Sequence, residues 1–244
     1  MKEAVVIIPT YNEIENIEAI IKAVFSQSRD IHILIVDDNS PDGTADKVKE
    51  LKKDFQGRLH IKEREEKAGL GTAYILGFKW CLVRKYKYIF EMDADFSHNP
   101  KDLKRLYNMC AVEGADLSIG SRYITGVNVV NWPMSRVLMS YIASKYVRFI
   151  TGMKINDTTA GFVCYKRKVL ETINLRKVKF VGYAFQIEMK FKAYLRGFKI
   201  VEVPVIFTDR TRGESKLSSG IISEAVFGVI SLKIKSLFNR KDLE

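Results

Sequence analysis

Short apolar runs rich in β-branched residues alternate with stretches of helical period along the first 120 residues, and nothing else in the chain limits its fold as strongly. Residues 4–8 form the first run and stop at Pro9; residues 31–36, 59–62, 88–92 and 117–119 repeat it. Between the runs, Ile17, Ile20, Ile21, Val24 and Phe25 recur at helical spacing, and Val48, Leu51 and Phe55 follow Thr44 in the same way. Residues 72–83 read as a further helix. Asn99 then offers an N-cap, with Pro100 in the first turn, to a helix carrying Leu103, Leu106 and Met109. Strands alternating with helices of this length build βαβ units around a mostly parallel sheet, here a three-layer α/β/α arrangement.

The second part is less regular. Residues 132–150 and 185–195 read as helices, 162–165 as a strand, and 221–238 as a terminal helix. Residues 200–207 read as a strand in which Pro204 marks an edge or a bulge. A chain of 244 residues can bury a substantial core unaided. Its 47% hydrophobic and 28% charged content exclude a disordered polymer. Cys81, Cys110 and Cys164 form no CxxC or zinc pattern, which predicts reduced core thiols.

Charge divides the chain. Up to Gly120, 18 basic residues face 20 acidic ones; beyond it, 22 face 9, so the second part carries +13 of the overall +11. That asymmetry predicts an anionic partner: a membrane surface, a nucleic acid or a phosphorylated substrate. No helix-turn-helix, RNP string or zinc pattern supports the nucleic-acid reading. A spanning helix needs about 18 or more mostly apolar residues. The longest uncharged stretch, residues 123–135, falls short and contains Asn128, Asn131 and Pro133, so no transmembrane helix is expected. Residues 4–8 are too short for the core of a signal peptide.

In an open parallel sheet, ligands sit beyond the carboxyl ends of the strands. Those ends read Pro9-Thr10-Tyr11-Asn12-Glu13, Asp37-Asp38-Asn39-Ser40 and Asp93-Ala94-Asp95. Turn-forming suffices to explain Asn39 and Asn99. Three acidic strand ends on one edge repel unless a cation is shared. An acid-x-acid pair after an apolar strand suits a divalent ion carrying a nucleotide diphosphate, although a helix start explains the pair about as well in isolation. A dinucleotide site is excluded. No G-x-G-x-x-G follows the first strand, and Gly69-Leu70-Gly71 has Tyr74 where a third glycine belongs.

In order, the chain carries Pro9-Thr10-Tyr11-Asn12-Glu13, Val36-Asp37-Asp38-Asn39-Ser40-Pro41-Asp42-Gly43-Thr44, Gly69-Leu70-Gly71, Met92-Asp93-Ala94-Asp95-Phe96-Ser97-His98, Gly120-Ser121-Arg122-Tyr123 and Gly213-Glu214-Ser215-Lys216. Together they resemble the dolichol- and polyprenyl-phosphate mannosyltransferases of glycosyltransferase family 2, fold GT-A. The resemblance implies transfer of mannose from GDP-mannose to a polyprenyl (dolichyl) monophosphate. It implies a β-linked product, hence inversion, and a Mg2+ or Mn2+ ion. It places Pro9, Tyr11, Glu13, Val36 and Asp38 at the nucleotide, and Asp93, Ala94 and Asp95 at the metal and diphosphate. Ser97 stands where some relatives carry a glutamine that also meets the metal, with water as the alternative ligand. Arg122, Arg210 and Lys216 match positions around the donor phosphates; Arg122, Arg136, Ser140 and Arg210 match positions at the acceptor phosphate. Asp95, Arg122 and Arg210 are the catalytic candidates. The Q-x-x-R-W string of processive relatives is absent, which favours a single transfer.

The residues agree with that chemistry. A phosphomonoester, with a second pKa of about 6, is mostly a dianion near neutrality and needs no general base. It does need cations to hold it beside an anionic leaving group, and arginine forks suit phosphate oxygens. Glu188 is read as able to orient the sugar, not as a base, and His98 as support behind the metal turn. Arg136, Ser140, Ser144 and Arg148 mark a polar helical stripe, and Met139, Ile142, Tyr146, Phe149 and Ile150 an apolar one, with Trp132 at the entry. That pattern suits a helix at a membrane surface, as does the terminal helix; packing of both on the sheet is the plainer alternative. The expected organisation is a catalytic unit over 1–218, including an interfacial helix at 132–152, and an amphipathic helix at 219–244. The expected place is peripheral, on the cytoplasmic face of an anionic membrane, with a small membrane-embedded subunit as a further possible partner. UDP-glucose is the competing donor.

Overall fold

The computed structural model describes residues 1–55, 57–209 and 219–238. Strand β1 (Ala4–Thr10) leads through α1 (Ile14–Phe25) to β2 (His32–Asp37), and α2 (Thr44–Leu51) leads to β3 (Leu59–Glu63). Helix α3 (Leu70–Leu82) precedes β4 (Tyr88–Glu91); a short 3-10 turn and α4 (Leu103–Ala111) precede β5 (Leu117–Ser121). The remainder is β6 (Val129–Val130), α5 (Met134–Thr151), β7 (Val163–Lys166), α6 (Arg167–Thr172), α7 (Tyr183–Leu195), β8 (Ile200–Pro204), β9 (Phe207–Thr208) and α8 (Ser219–Phe238).

Seven strands form one sheet in the order β3-β2-β1-β4-β7-β5-β8. All neighbours are parallel except β7, which is antiparallel to both β4 and β5. The first strand runs apolar on both faces because both faces are covered. Val5 and Ile7 pack with α3 and α7, while Ala4, Val6 and Ile8 pack with α1, α2 and α4. This is the three-layer α/β/α arrangement with a mostly parallel sheet that the alternation predicts. Strand order reverses between β1 and β4, which puts the crevice for a ligand beyond their carboxyl ends.

Several local expectations hold. The Asn99 side chain accepts from the Lys101 amide and Pro100 opens the turn. Cys81, Cys110 and Cys164 are free and buried. Pro204 ends the edge strand β8, and the chain resumes as β9 in a small parallel ribbon with β6. Helix α5 departs from expectation in its phase. Ser144, Val147 and Thr151 face inward, so Ser144 leaves the polar stripe. Tyr146 and Ile150 also turn inward, and the Tyr146 hydroxyl donates to the Val226 carbonyl of α8. Met139, Ile142 and Phe149 of the apolar stripe remain exposed, and Met134 and Leu138 join them. No helix among the described residues is long and apolar enough to cross a membrane.

Candidate active site

The turns after β1 and β2 are stitched together by short polar side chains. Thr10 Oγ1 donates to Asp37 Oδ2 at 2.7 Å, and the Ser40 amide and hydroxyl donate to the same carboxylate at 2.9 and 2.7 Å. The Asn12 amide donates to Ser40 Oγ, and the Glu13 amide to Thr44 Oγ1. Asp37 is fully buried, so its charge is absorbed by this turn. Asp38 is absorbed differently: Arg64 grips it with two bonds of 2.6 and 2.5 Å and reaches Thr72 Oγ1 at 2.6 Å. The acidic strand ends do need a cation, and at β2 the chain supplies its own.

The turn after β4 carries two carboxylates, Asp93 and Asp95. Phe96 sits at φ +61, a conformation that non-glycine residues rarely adopt, and it reverses the chain directly after Asp95. Asn12 and Asn39 take similar values in the turns after β1 and β2, so strain gathers on the carboxyl edge. The Ser97 amide donates to Asp95 Oδ1 at 3.0 Å, and the Asp93 amide donates to His98 Nδ1 at 3.1 Å. His98 is buried against the Phe162 ring, 4.9 Å between centroids. Burial holds its imidazole well below the usual pKa, so the ring is neutral and supports the turn, as expected.

Facing this turn are two paired arginines. Arg122, just after β5, bonds Asp157 through Nε and Nη2 at 2.7 and 2.6 Å and Thr159 Oγ1 at 2.9 Å. Burial pushes the Asp157 carboxyl up, but the Arg122 guanidinium outweighs it and holds the group below the ordinary carboxylate range. Arg136, in the first turn of α5, bonds Asp209 at 2.8 Å and lies 4.1 Å over the Trp132 ring. Trp132 in turn meets Phe207 of the β6–β9 ribbon edge-on.

One cavity of about 640 Å³ joins these groups. Asp93, Asp95, Ser97 and His98 line it together with Arg122, Arg136 and Ser140. Met139, Ile142, Ala143, Val147, Ile187 and Val226 line an apolar trough between α5, α7 and α8. Of the sequence-predicted residues, the cavity therefore gathers Asp93, Asp95, Ser97, Arg122, Arg136 and Ser140. Pro9, Tyr11, Glu13 and Asp38 lie at the neighbouring ends of β1 and β2, where the Lys67 ammonium sits 4.4 Å over the Tyr11 ring. The Val36 side chain is fully buried in the core and Ala94 nearly so, which leaves their backbones as the groups that can meet a ligand. Arg210 and Lys216 lie outside the described residues.

Two carboxylates with a hydroxyl fit a hard divalent ion that completes its shell with phosphate oxygens and water. Ser97 Oγ is buried on the cavity wall with no hydrogen-bond partner among the described residues, as a ligand-directed hydroxyl would be. No group of three or more His, Cys, Asp or Glu gathers to cage a metal among the described residues.

Glu188 does not face this cavity. Its carboxylate accepts the Lys179 and Phe180 amides and meets Lys192, all beneath the surface, so it has no part in orienting a sugar. One turn earlier on α7, Gln186 does line the cavity. Sequence reading missed Gln186, Arg64 and Asp209. A signal existed for Gln186: a buried helix with Gln, Glu and two lysines at spacing four predicts internal polar pairs. The Gly69-Leu70-Gly71 string also gains a meaning. A Cβ on Gly71 would lie 2.7 Å from the Phe180 carbonyl, so the glycine lets the segment before α7 seat on α3 while Leu70 borders the cavity.

Comparison with known proteins agrees with this geometry. Residues 5–173 match the model of glycosyl transferase family 2. The polyprenol monophosphomannose synthase of Mycolicibacterium smegmatis is 48% identical over 240 residues, covering 98% of this chain and 90% of that protein. The undecaprenyl-phosphate mannosyltransferase of Micrococcus luteus is 44% identical over 223 residues, covering 91% and 90%. Among solved structures, glucosyl-3-phosphoglycerate synthase of Mycobacterium tuberculosis, bound to phosphoglyceric acid, superposes with a TM-score of 0.66 at 16% identity, covering 95% of this chain and 79% of the other. A mannosyltransferase of Pyrobaculum calidifontis with GDP-Man and Mn2+ gives 0.57 at 16% identity, covering 100% and 72%. The chain is a glycosyltransferase and belongs to glycosyl transferase family 2.

Proposed function

We propose that this enzyme transfers mannose from GDP-mannose to a polyprenyl monophosphate, with inversion at the anomeric carbon and release of GDP. The observation that carries the reading is one cavity lined by two carboxylates, two arginines and a set of apolar side chains. A sugar nucleotide needs the first, a phosphate acceptor the second, and an isoprenoid chain the third. The names of the two curated relatives supply the same acceptor class and sugar.

Asp93, Asp95 and Ser97 Oγ would hold Mg2+ or Mn2+, which when bound neutralises the departing diphosphate. The solved relative carrying GDP-Man and Mn2+ supports that pairing of donor and ion. The protein's own work is electrostatic and geometric. A phosphate oxygen of the acceptor forms the new bond to the anomeric carbon as the bond to the diphosphate oxygen breaks. The electron pair leaves with GDP, and no proton must be removed from the dianionic nucleophile. Arg122, fixed by Asp157, holds a positioned positive charge beside the two phosphates, and pre-organised charge of this kind stabilises a transition state without reorganisation. Arg136 and Ser140 receive the acceptor phosphate. Pro9, Tyr11, Glu13, the backbone of Val36, and Asp38 hold the nucleotide. Arg210 and Lys216, beyond β9, complete the cationic set around the donor phosphates, with Arg210 also at the acceptor.

The acceptor lives in a membrane, so the enzyme works peripherally at the cytoplasmic leaflet. The unit over 1–218 carries the chemistry, and α5 and the helix within 219–244 meet the lipid. The exposed stripe of α5 and Phe227, Ile234 and Phe238 of α8 supply apolar contact. A small membrane-embedded subunit would compete for those faces. The decisive experiment incubates the protein with Mn2+, undecaprenyl phosphate and either GDP-mannose or UDP-glucose, and reads lipid products by mass spectrometry. Hexosyl-phospho-lipid from GDP-mannose alone is the expected result; product from UDP-glucose alone, or none from either, overturns the donor assignment.

A further inference from the structure

Gln186 lies on α7, 2% exposed, on the wall of the cavity. Its carboxamide is held from two sides. Nε2 donates to Glu91 Oε2 at 2.8 Å, and Oε1 accepts from the Lys190 ammonium at 3.2 Å. Lys190 is donor-only, so the amide cannot flip without facing its own N–H groups against the ammonium. Lys190 is itself fixed by the Ala160 carbonyl at 2.6 Å. This buried chain of Glu91, Gln186 and Lys190 sets one orientation for the amide. One Nε2 hydrogen is used on Glu91; the other has no further acceptor among the described residues.

Gly161 stands beside it. A Cβ built there would be 3.8 Å from Gln186 Nε2 and 3.7 Å from His98 Cε1. The missing side chain leaves a niche between amide and imidazole, open to the cavity that all three residues line. The niche is polar: the Gln186 amide lines one side and the His98 ring, whose Nδ1 accepts from the Asp93 amide, the other. It sits beside the Asp93–Asp95 turn, with Arg122 also lining the cavity. In a displacement between two phosphates, the group between the diphosphate and the incoming phosphate is the sugar ring. A neutral donor there matches a hydroxyl, where a carboxylate would repel both phosphates.

We propose that Gln186 Nε2 donates to a hydroxyl of the transferred hexose, and that Gly161 provides the space for that edge of the ring. This rests on the reading of the cavity as a sugar-nucleotide site. The contact is to the hexose, so it contributes to binding of a nucleotide sugar and not of the free nucleotide.

The test compares affinities by isothermal titration calorimetry for GDP and GDP-mannose, each with Mn2+, in wild type, Gln186→Leu and Gly161→Ala. Gln186→Leu removes the donor at similar volume. Gly161→Ala meets only ordinary van der Waals contact, so the fold tolerates it while the niche is narrowed. The expected result in both variants is a loss of about five- to tenfold for GDP-mannose, the size of one hydrogen bond to a neutral group, with GDP unchanged within twofold. Equal losses for both ligands, or no loss for either in Gly161→Ala, overturn the assignment. If the wild type binds UDP-glucose in place of GDP-mannose, the donor reading fails by itself, and the same ratio is taken against UDP. If the wild type binds neither sugar nucleotide, both the cavity reading and this contact fall.

Discussion

The four aspartates at the ends of β2 and β4 are chemically unequal. Asp37 is consumed by hydroxyls and an amide of its own turn, and Asp38 by Arg64. Asp93 and Asp95 border the cavity. A string of letters shows four carboxylates; only the fold shows which of them an internal cation has already claimed, because Arg64 lies 26 residues from Asp38 in sequence. Asp95→Asn should therefore remove Mn2+-dependent tightening of nucleotide binding and lower turnover by about a thousandfold, through loss of a positioned ion worth several kcal/mol. Calorimetry with and without Mn2+ checks the first, and turnover of the folded variant the second. Another residue-scale prediction concerns His60, at the opposite end of the sheet, which lies over Trp80 and beside His32. Burial first, then the His32 and Arg84 charges, push its imidazole down from 6.5 to about 4. The unfolded chain therefore takes up more protons between these values, so the stability of the neutral ring is complete above pH 6.5 and is lost as pH falls toward 4. Between pH 7 and pH 5 the loss is about 1 kcal/mol, discounted for solvent screening of a half-buried ring. Urea denaturation at both pH values should show that difference shrinking in His60→Gln.

At the scale of elements, local pattern foretold most of the fold. The strand–helix alternation placed β1 to β5 and their helices: β1 and β2, buried on both faces, read as apolar runs, while the edge strand β3 carries His60 and Lys62 and reads more weakly. Pro204 marked the edge strand correctly. The direction of β7 was not legible, since an antiparallel strand inserted between β4 and β5 carries no local signal of its orientation. Nor was the phase of α5. A helical stripe of Leu, Met, Ile and Phe ordinarily faces a core, yet here Ser144, Val147 and Thr151 face inward and the larger residues point out. The Gly69–Gly71 string was legible as a motif but not as a contact, because its partner at Phe180 is set by tertiary structure. Two predictions belong to this scale. Gly71→Ala forces a Cβ to 2.7 Å from a backbone carbonyl, which cannot swing aside as a side-chain tip would. A loss of about 1–3 kcal/mol in denaturant stability is expected. Arg136→Ala removes a cation that rests on Trp132 and Asp209 and lines the cavity. It should raise KM for the lipid phosphate by about tenfold or more, with donor affinity unchanged; the converse split would move Arg136 to the donor.

The whole molecule combines a basic second part with apolar surface on two helices. Phe149 is 86% exposed on α5, and Phe227 and Phe238 are 73% and 82% exposed on α8. Large apolar residues so exposed cost nothing to the core when replaced, which makes them clean probes of a surface. Lys145 shares the outer side of α5, and Lys233 and Lys235 lie along α8. Aromatic and aliphatic residues flanked by lysine suit shallow insertion at an anionic leaflet. Attraction there amounts to about 1 kcal/mol per Lys or Arg near the surface and fades within a Debye length, roughly 3 Å at 1 M salt. Burying one phenylalanine in the acyl boundary adds a contribution of about 1.5 kcal/mol or more, equivalent to at least tenfold in partitioning. Sedimentation with vesicles rich in phosphatidylserine should therefore carry the protein down at low salt and release much of it at 1 M. Phe149→Glu and Phe227→Glu should each weaken binding by about tenfold while leaving GDP-mannose affinity intact, since neither residue lines the cavity. Lipid-acceptor turnover should fall with them, and turnover on a short, detergent-soluble isoprenyl phosphate should not. Unchanged sedimentation of both variants would show that these faces meet a protein, such as a small membrane-embedded subunit, and not the lipid itself.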